Sequence, residues 1–222
     1  MSYVFHFDVF RNYADTFAAA ALLTLKLSVV CIFFATVIGV ALGALLTSGN
    51  KHVCRVIRVY VEAFRLTPYL VQLMFVYFGL PLAFGIKITS VQAGMITLSL
   101  NGGAYAAETF RAGFQSVPRT QMQASLSLGY TKLQAYRRVI IPQGVRIVFP
   151  SYLSSIIEIL KDTSYFSIIG VTEATGLIRY AASMTYRNFE LFTILAVFYL
   201  IVTTVMGLLG SLVEKKFNRQ AQ

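Results

Sequence analysis

The chain has 222 residues, of which 57% are hydrophobic and only 13% are charged, and its mean hydropathy is +0.68. Charged residues make up about a quarter of an ordinary soluble domain, so these values argue against a soluble enzyme, a disulfide-rich secreted domain and a disordered tail. The formal net charge of +10 is unusual for so apolar a chain, and it suggests either nucleic acid or a membrane surface as a partner, depending on where the charges lie.

Five segments are long and apolar enough to cross a bilayer core about 30 Å thick, which needs about 20 residues per helix. In chain order they cover residues 16–46, 59–84, 91–110, 147–171 and 191–213. The first contains Gly39 and Gly43, a G-x-x-x-G spacing that favours close packing against another helix. The sequence therefore predicts an all-α integral membrane protein with five transmembrane helices, in a single domain that covers residues 1–222.

The basic residues are concentrated in the loops on one side of these segments. Twelve of the 19, with only one acid, lie in residues 51–58, 111–146 and 214–219, whereas the opposite loops carry four basic and four acidic residues. The positive-inside rule then predicts an N-terminus outside, or periplasmic, and a C-terminus in the cytoplasm. No nucleic-acid-binding module is visible, so we expect the lipid bilayer, and not nucleic acid, as the anionic surface.

The chain offers little for metal or redox chemistry. It contains two cysteines and two histidines, and Cys31 lies inside the first predicted span while Cys54 lies in a cytoplasmic loop. Such a sparse set of ligands predicts no metal site.

The cytoplasmic segment 114–146 is predicted to be folded. Thr120 and Gln123 have the spacing of a capping box, which predicts a helix over residues 121–128 that ends at Gly129 in a left-handed conformation. Thr131 is then expected to cap a second helix that ends before Pro142. A two-turn helix is unstable alone in water, so the first helix must pack on the membrane surface, on its own bundle or on a partner.

This segment resembles the EAA loop of ABC importer permeases, whose pattern is E-A-A, three residues, G, nine residues, I, one residue and L-P. The glycine, the proline and all spacings hold, but Gln123 and Ser125 stand in place of the usual Glu and Ala. The resemblance implies that this stretch is a coupling helix, between the third and fourth spans, which docks in a groove of an ATP-hydrolysing subunit. The implied contact residues are Gln121, Met122, Gln123, Ala124, Ser125, Leu128, Gly129 and Pro142.

Three further stretches resemble polar amino acid permeases. They are F-R-L-T-P at residues 64–68 with Gln72 and Y-F-G-L-P at 77–81, G-A-Y-x-A-E-x-x-R-x-G at 103–113, and K-D-T-S at 161–164. Together they cover roughly residues 60–175, and their order fits the topology. The resemblance implies the type I ABC importer permease fold in a bacterial cytoplasmic (inner) membrane, working by alternating access.

The same resemblance implies the partners: a dimer of ATP-binding cassette subunits, a second permease subunit, an extracytoplasmic solute-binding protein and an amino acid substrate. The chain has no G-x-x-x-x-G-K-[ST] motif. We therefore expect no cofactor in this chain, no enzymatic activity of its own, and ATP and Mg²⁺ in the partner subunit.

Ionisable residues within the fourth span suggest a substrate site. Glu158, Lys161 and Asp162 share one side of a helix at i, i+3 and i, i+4, where each charge costs several kcal/mol unless it is paired or faces water. Two interpretations stand: a structural ion pair, or a cavity in which Lys161 binds the carboxylate and Asp162 the ammonium of a zwitterion. Thr163 and Ser164 either add hydrogen bonds to the substrate or satisfy carbonyls of their own helix.

Two residues of the second and third spans complete the candidate site. Thr67 precedes Pro68, which removes a helical hydrogen bond and frees a carbonyl, and broken helices are tolerated where they line a cavity. The alternative is a plain kink, with Arg65 reaching toward the head groups. Asn101 is a polar residue in the middle of the third span.

Other functions are not excluded by these residues. The chain fits equally a permease half that forms the pore without a substrate site of its own. It also fits an ion-coupled secondary transporter with Glu158 and Asp162 as carriers, although no inverted repeat supports this. The substrate class, and whether the pore is a homodimer, are left open.

Overall fold

The computed structural model describes residues 5–47 and 50–219, and every regular element in this part of the chain is helical. A 3₁₀ turn over Phe7–Tyr13 leads into the first helix. The helices are α1 (Ala14–Leu46), α2 (Lys51–Leu66), α3 (Tyr69–Met74), α4 (Leu80–Phe84), α5 (Ser90–Ser116), α6 (Arg119–Ser127), α7 (Lys132–Ala135), α8 (Ile141–Asp162), α9 (Ala174–Thr185) and α10 (Asn188–Arg219). π-helical turns over Phe75–Gly79 and Tyr136–Ile140 join α3 to α4 and α7 to α8, and a 3₁₀ turn over Thr163–Ile169 follows α8.

The centre of the fold is the contact between α1 and α5. A Cβ atom added to Gly39 would overlap Ala106, and one added to Gly43 would lie 2.9 Å from the Ala107 carbonyl oxygen. The two backbones therefore approach more closely than larger residues would permit, as the G-x-x-x-G spacing predicts. Because α5 is enclosed by α1, α2 and α8, the polar residues Thr97, Ser99 and Asn101 near its middle are buried.

Three described helical stretches are long and apolar enough to cross a membrane: Phe7–Leu46, Lys132–Ile169 and Asn188–Glu214. The pair Lys51–Leu66 and Tyr69–Phe84 is bent by 104° and adds a fourth if it is one broken span. The third predicted span corresponds to α5, which is not among these stretches because it carries too many polar residues. Helix α5 tolerates them because the other helices enclose it.

The predicted end of a helix before Pro142 is wrong. Helix α7 begins at Lys132 with the expected Thr131 cap, which is a full capping box: Thr131 Oγ1 accepts from Gln134 N and Gln134 Oε1 accepts from Thr131 N. It continues through the π-helical turn into α8, which holds Pro142 in its first turn. Pro142 has no N–H to donate to the preceding turn, and the π-helical turn just before it accommodates the missing hydrogen bond.

Candidate functional site

Two interrupted helices face each other in the middle of the fold and enclose a cavity of about 740 Å³. One interruption is at Thr67–Pro68 between α2 and α3, and the other is at the end of α8, where the chain passes into the 3₁₀ turn. Irregular backbone inside a membrane protein needs water or protein partners for its polar groups. The cavity therefore lies where the backbone itself is most polar.

The first interruption is held together by side chains. Pro68 has no N–H, so the Phe64 carbonyl lacks its helical donor, and it instead accepts hydrogen bonds from Gln72 Nε2 (2.8 Å) and Asn101 Nδ2 (3.2 Å). Gln72 Nε2 also donates to the carbonyl and the hydroxyl of Thr67, at 3.0 and 2.7 Å. Asn101 Nδ2 completes the network by donating to Gln72 Oε1 at 3.0 Å.

Two residues of the predicted substrate site, Thr67 and Asn101, form hydrogen bonds that support the interrupted backbone. Asn101 and Thr67 both line the cavity, but the Asn101 amide is engaged by the interruption, and the Thr67 hydroxyl donates to the Ala63 carbonyl at 2.7 Å. The sequence prediction did not assign a role to Gln72. Its position four residues after Pro68, one turn beyond the missing donor, is the signal that identifies it.

Removal of this support is expected to destabilise the site. We predict that Gln72→Leu, which keeps the side chain's size, lowers the thermal stability of the detergent-purified complex and reduces uptake about tenfold, since it removes the hydrogen bonds of Gln72 to Phe64, Thr67 and Asn101, each worth about 0.5–1.5 kcal/mol. Asn101→Ala should act on the same network, so the stability lost by the double variant should differ clearly from the sum of the single losses. Strict additivity would contradict the shared network.

The second interruption supplies the charged side chains. Glu158, Lys161, Asp162 and Ser164 all line the cavity, as the spacing predicts. Thr163 does not: its side chain is fully buried, and its hydroxyl donates to the Leu160 carbonyl at 2.7 Å. Two roles were open for Thr163: a hydrogen bond to the substrate or one to a carbonyl of its own helix. The structure shows the second, with the carbonyl three residues back.

The alternative of a structural ion pair is not realised in this geometry. Among the described residues, ion pairs join Arg111 to Glu108 at 2.7 Å and Arg187 to Glu190 at 3.7 Å, but none joins Lys161 to Glu158. The charges of the fourth span thus face the open cavity instead of neutralising each other in contact. A ligand that carries both charge signs would find a partner for each.

Aromatic side chains that the sequence analysis did not select form much of the remaining wall. The Arg65 guanidinium lies 5.3 Å from the centre of the Tyr105 ring, a cation–π contact that holds it at the cavity. Tyr69 and Tyr165, one after each interruption, meet edge to face at 5.5 Å. The Tyr69 hydroxyl is buried and has no hydrogen-bond partner within the described part of the chain.

The segment expected to couple to an ATPase projects from the other end of α5. Helix α6 begins at Arg119, after Pro118, and Thr120 does not form the predicted capping box. Because Pro118 has no N–H and already sets the helix start, the predicted cap position falls inside the first turn. The predicted left-handed end is confirmed: Gly129 has φ +83°, and Tyr130 N donates to the Ser125 carbonyl at 3.1 Å.

One side of α6 packs on its own bundle, and the other side is exposed among the residues that the structure describes. Met122 is half-buried against the core near Tyr136, and Ser125 is buried. The remaining predicted contact residues on the helix and its end are exposed, namely Gln121, Gln123, Ala124, Leu128 and Gly129, as is Pro142 on α8. Leu128 is 78% exposed and Leu133 is 75% exposed, so an apolar surface is available beside the turn.

An all-helical membrane protein with interrupted spans around a charged cavity belongs to the class of membrane transport proteins. A family model described as "Binding-protein-dependent transport system inner membrane component" matches residues 35–219. The chain is 37% identical over 207 residues to a probable amino-acid permease protein, YxeN, of Bacillus subtilis, with 92% of each chain covered. It therefore belongs to this family, the permease components of binding-protein-dependent ABC importers.

Further comparisons agree with this assignment. The chain is 36% identical over 199 residues to the glutamine transport system permease protein GlnP of Escherichia coli, covering 89% of this chain and 91% of GlnP. The crystal structure of an amino acid ABC transporter with histidines superposes with a TM-score of 0.87 at 34% identity, covering 96% of this chain and all of the other. An inward-facing MetNI methionine ABC transporter shares the fold, with a TM-score of 0.76 at 21% identity and 87% and 92% of the two chains covered.

The family membership fixes the general role of the chain. It is an integral membrane transport subunit and not a catalytic enzyme, and it works in an ABC importer complex that includes ATPase and other subunits.

Proposed function

We propose that the chain translocates a polar amino acid, or an amino-acid derivative, as the permease subunit of a type I ABC importer. The observation that carries this proposal is the cavity, which presents Lys161 and Arg65 together with Glu158 and Asp162 at two helix interruptions. An α-amino acid carries one carboxylate and one ammonium group, so each end meets side chains of opposite charge in this cavity. Ser164 supplies a hydrogen-bonding group to the same site, and the relatives named as amino-acid permeases support the substrate class.

The proposed topology has five spans, with the N-terminus outside and the C-terminus in the cytoplasm of a bacterial inner membrane. The bent pair α2 and α3–α4 serves as one span, and the polar helix α5 is the additional one. The pore is completed by a second permease subunit, and an extracytoplasmic solute-binding protein delivers the substrate. Two ATPase subunits hold the ATP and Mg²⁺ and dock on the exposed side of α6, where Leu128 and the Gly129 turn lie.

Reconstitution of the whole complex tests this function. The chain is co-purified with its ATPase and binding-protein partners and placed in proteoliposomes loaded with ATP and Mg²⁺. Uptake of radiolabelled glutamine, arginine and glutamate is then measured with and without an ionophore. We expect uptake of at least one of them that requires ATP and survives the ionophore.

Two results would redirect the proposal. Uptake that an ion gradient drives without ATP would identify an ion-coupled secondary transporter. If uptake is driven by ATP but no substitution of a cavity residue in this chain changes it, the chain is a permease half that forms the pore without a substrate site.

A further inference from the structure

Helix α2 carries a continuous row of ionisable side chains. Lys51, Arg55, Arg58, Glu62 and Arg65 follow one another at spacings of four and three residues, and all five are exposed. At 3.6 residues per turn this spacing places them on a single side of the helix. The neighbouring exposed side is apolar instead, and it carries Val56 at 72% exposure, Val59 at 65% and Ala63.

The row leads from one end of the fold to its centre. At the start of α2, the Cys54 thiol contacts the carbonyl oxygens of Leu45 and Leu46, the last residues of α1, at 3.7 and 3.5 Å. At its far end, the Phe64 carbonyl receives the Asn101 amide from the middle of α5. The loop charges place the end of α1 on the cytoplasmic side. Helix α2 therefore runs from the cytoplasmic side to the level of the central cavity.

Two cavities open on this same side of α2. The central cavity includes Arg65 in its wall, and a second cavity of about 570 Å³ is lined by Lys51, Cys54, Arg55, Arg58, Val59 and Glu62. Glu62 and Arg65 are one helical turn apart. The row of charges thus joins the two cavities along one helix face.

These charges are not neutralised by the described residues. Lys51, Arg55, Arg58 and Glu62 form no ion pair or side-chain hydrogen bond with any residue of the described segments. Glu62 lies 11 residues after Lys51, about 16 Å along the helix at 1.5 Å per residue. Hydrocarbon does not solvate an unpaired carboxylate or guanidinium at that depth, so this face requires water or a polar partner.

We propose that the charged face of α2 lines the inner half of the substrate's path, a water-filled route from the central cavity to the cytoplasm. Three of its four charged residues below Arg65 are cationic, and they attract the carboxylate of an amino acid leaving the cavity. The inference rests on the proposed function, because it is the import of an amino acid that gives the route its direction and its cargo.

Thiol labelling at two adjacent positions tests the route. In the reconstituted complex with Cys31→Ala and Cys54→Ser, single substitutions Glu62→Cys and Ala63→Cys place a thiol on the charged and on the apolar face at nearly the same depth. Charged methanethiosulfonates react with the thiolate, which forms only in water. We expect Glu62→Cys to react at least about tenfold faster than Ala63→Cys, because only the former faces water.

The charge of the reagent tests the electrostatic part. At Glu62→Cys an anionic sulfonatoethyl reagent should react several-fold faster, relative to its rate with a free thiol, than a cationic trimethylammonium reagent, because Arg58 and Arg65 flank the position. Equal slow rates at the two positions, which indicate lipid or protein on both faces, would overturn the route. A preference for the cationic reagent would overturn the attraction of the carboxylate.

The parent without cysteines separates this inference from the proposed function. If the parent shows no ATP-driven uptake of any of the three amino acids, the proposed function fails whatever the labelling shows. If the parent imports one of them and Glu62→Cys labels no faster than Ala63→Cys, the route alone fails.

Discussion

Replacement of Asp162 or Lys161 with alanine is expected to abolish amino acid uptake while the complex still assembles. Both side chains line the central cavity, and no ion pair within the described residues joins Lys161 to Glu158. Each removal takes away one of the two cavity charges available to one end of the bound zwitterion, and a hydrogen bond to a charged group is worth about 1.5–3 kcal/mol. Since 1.4 kcal/mol is a factor of about ten, uptake should fall by up to about two orders of magnitude.

Charge-matched controls come from α1. Lys26→Ala and Asp15→Ala each remove one charge from a long apolar helix at exposed positions that do not line the cavity. Uptake of labelled substrate by proteoliposomes, together with the yield of intact complex, should be close to the parent's for both controls. If Lys161→Ala and Asp162→Ala import substrate with the parent's affinity, their side chains do not bind it.

Gly129→Asp is expected to uncouple ATP hydrolysis from transport. Gly129 closes α6 with φ +83°, a conformation that costs other residues about 1–2 kcal/mol. A Cβ at this position meets no atom of the described residues within 4 Å, so the bundle itself should fold. The strain and the new negative charge instead fall on the turn beside Leu128, in the surface proposed to contact the ATPase.

The same substitution at Gly85 is the matched control. Gly85 also ends a helix in the left-handed conformation, at φ +66°, and a Cβ there likewise meets no atom within 4 Å. It lies at the opposite end of the fold from α6, beyond α4. We expect Gly129→Asp to retain ATPase activity and to lose at least about tenfold in uptake. Weakening the contact with the ATPase by about 1.4 kcal/mol is enough to lower uptake tenfold. Gly85→Asp should lose little uptake, and equal losses in both variants would contradict a coupling role.

Local rules predicted those parts of the fold that depend on neighbouring residues. The spacing of Gly39 and Gly43 predicts that α1 packs closely against another helix, and the Thr131 cap and the left-handed Gly129 follow from their immediate sequence. The charged lining at Glu158, Lys161 and Asp162 followed from helical spacing. In each case the residues that determine the structure lie within about two turns of each other.

The remaining features depend on contacts between distant segments. The sequence places Asn101 among the candidate substrate residues, and in the structure it lines the cavity while its amide also bonds the Phe64 carbonyl, 37 residues earlier in the chain. The continuation of α7 into α8 past Pro142 depends on a π-helical turn that no simple residue pattern specifies. The contact of Tyr69 with Tyr165 requires the two helix interruptions to face each other, which is a property of the assembled bundle.

The interruption at Thr67–Pro68 has a mechanical consequence. Its carbonyls are satisfied by Gln72 and Asn101, and each such group would cost several kcal/mol if it moved into hydrocarbon. This point of the chain is therefore anchored in depth, and α2 can tilt about it more easily than it can slide past it. With 16 residues, α2 is a lever about 24 Å long. A tilt of about 10° about this pivot moves its Lys51 end by about 4 Å, so a small rotation at the cavity becomes a substantial displacement at the membrane surface.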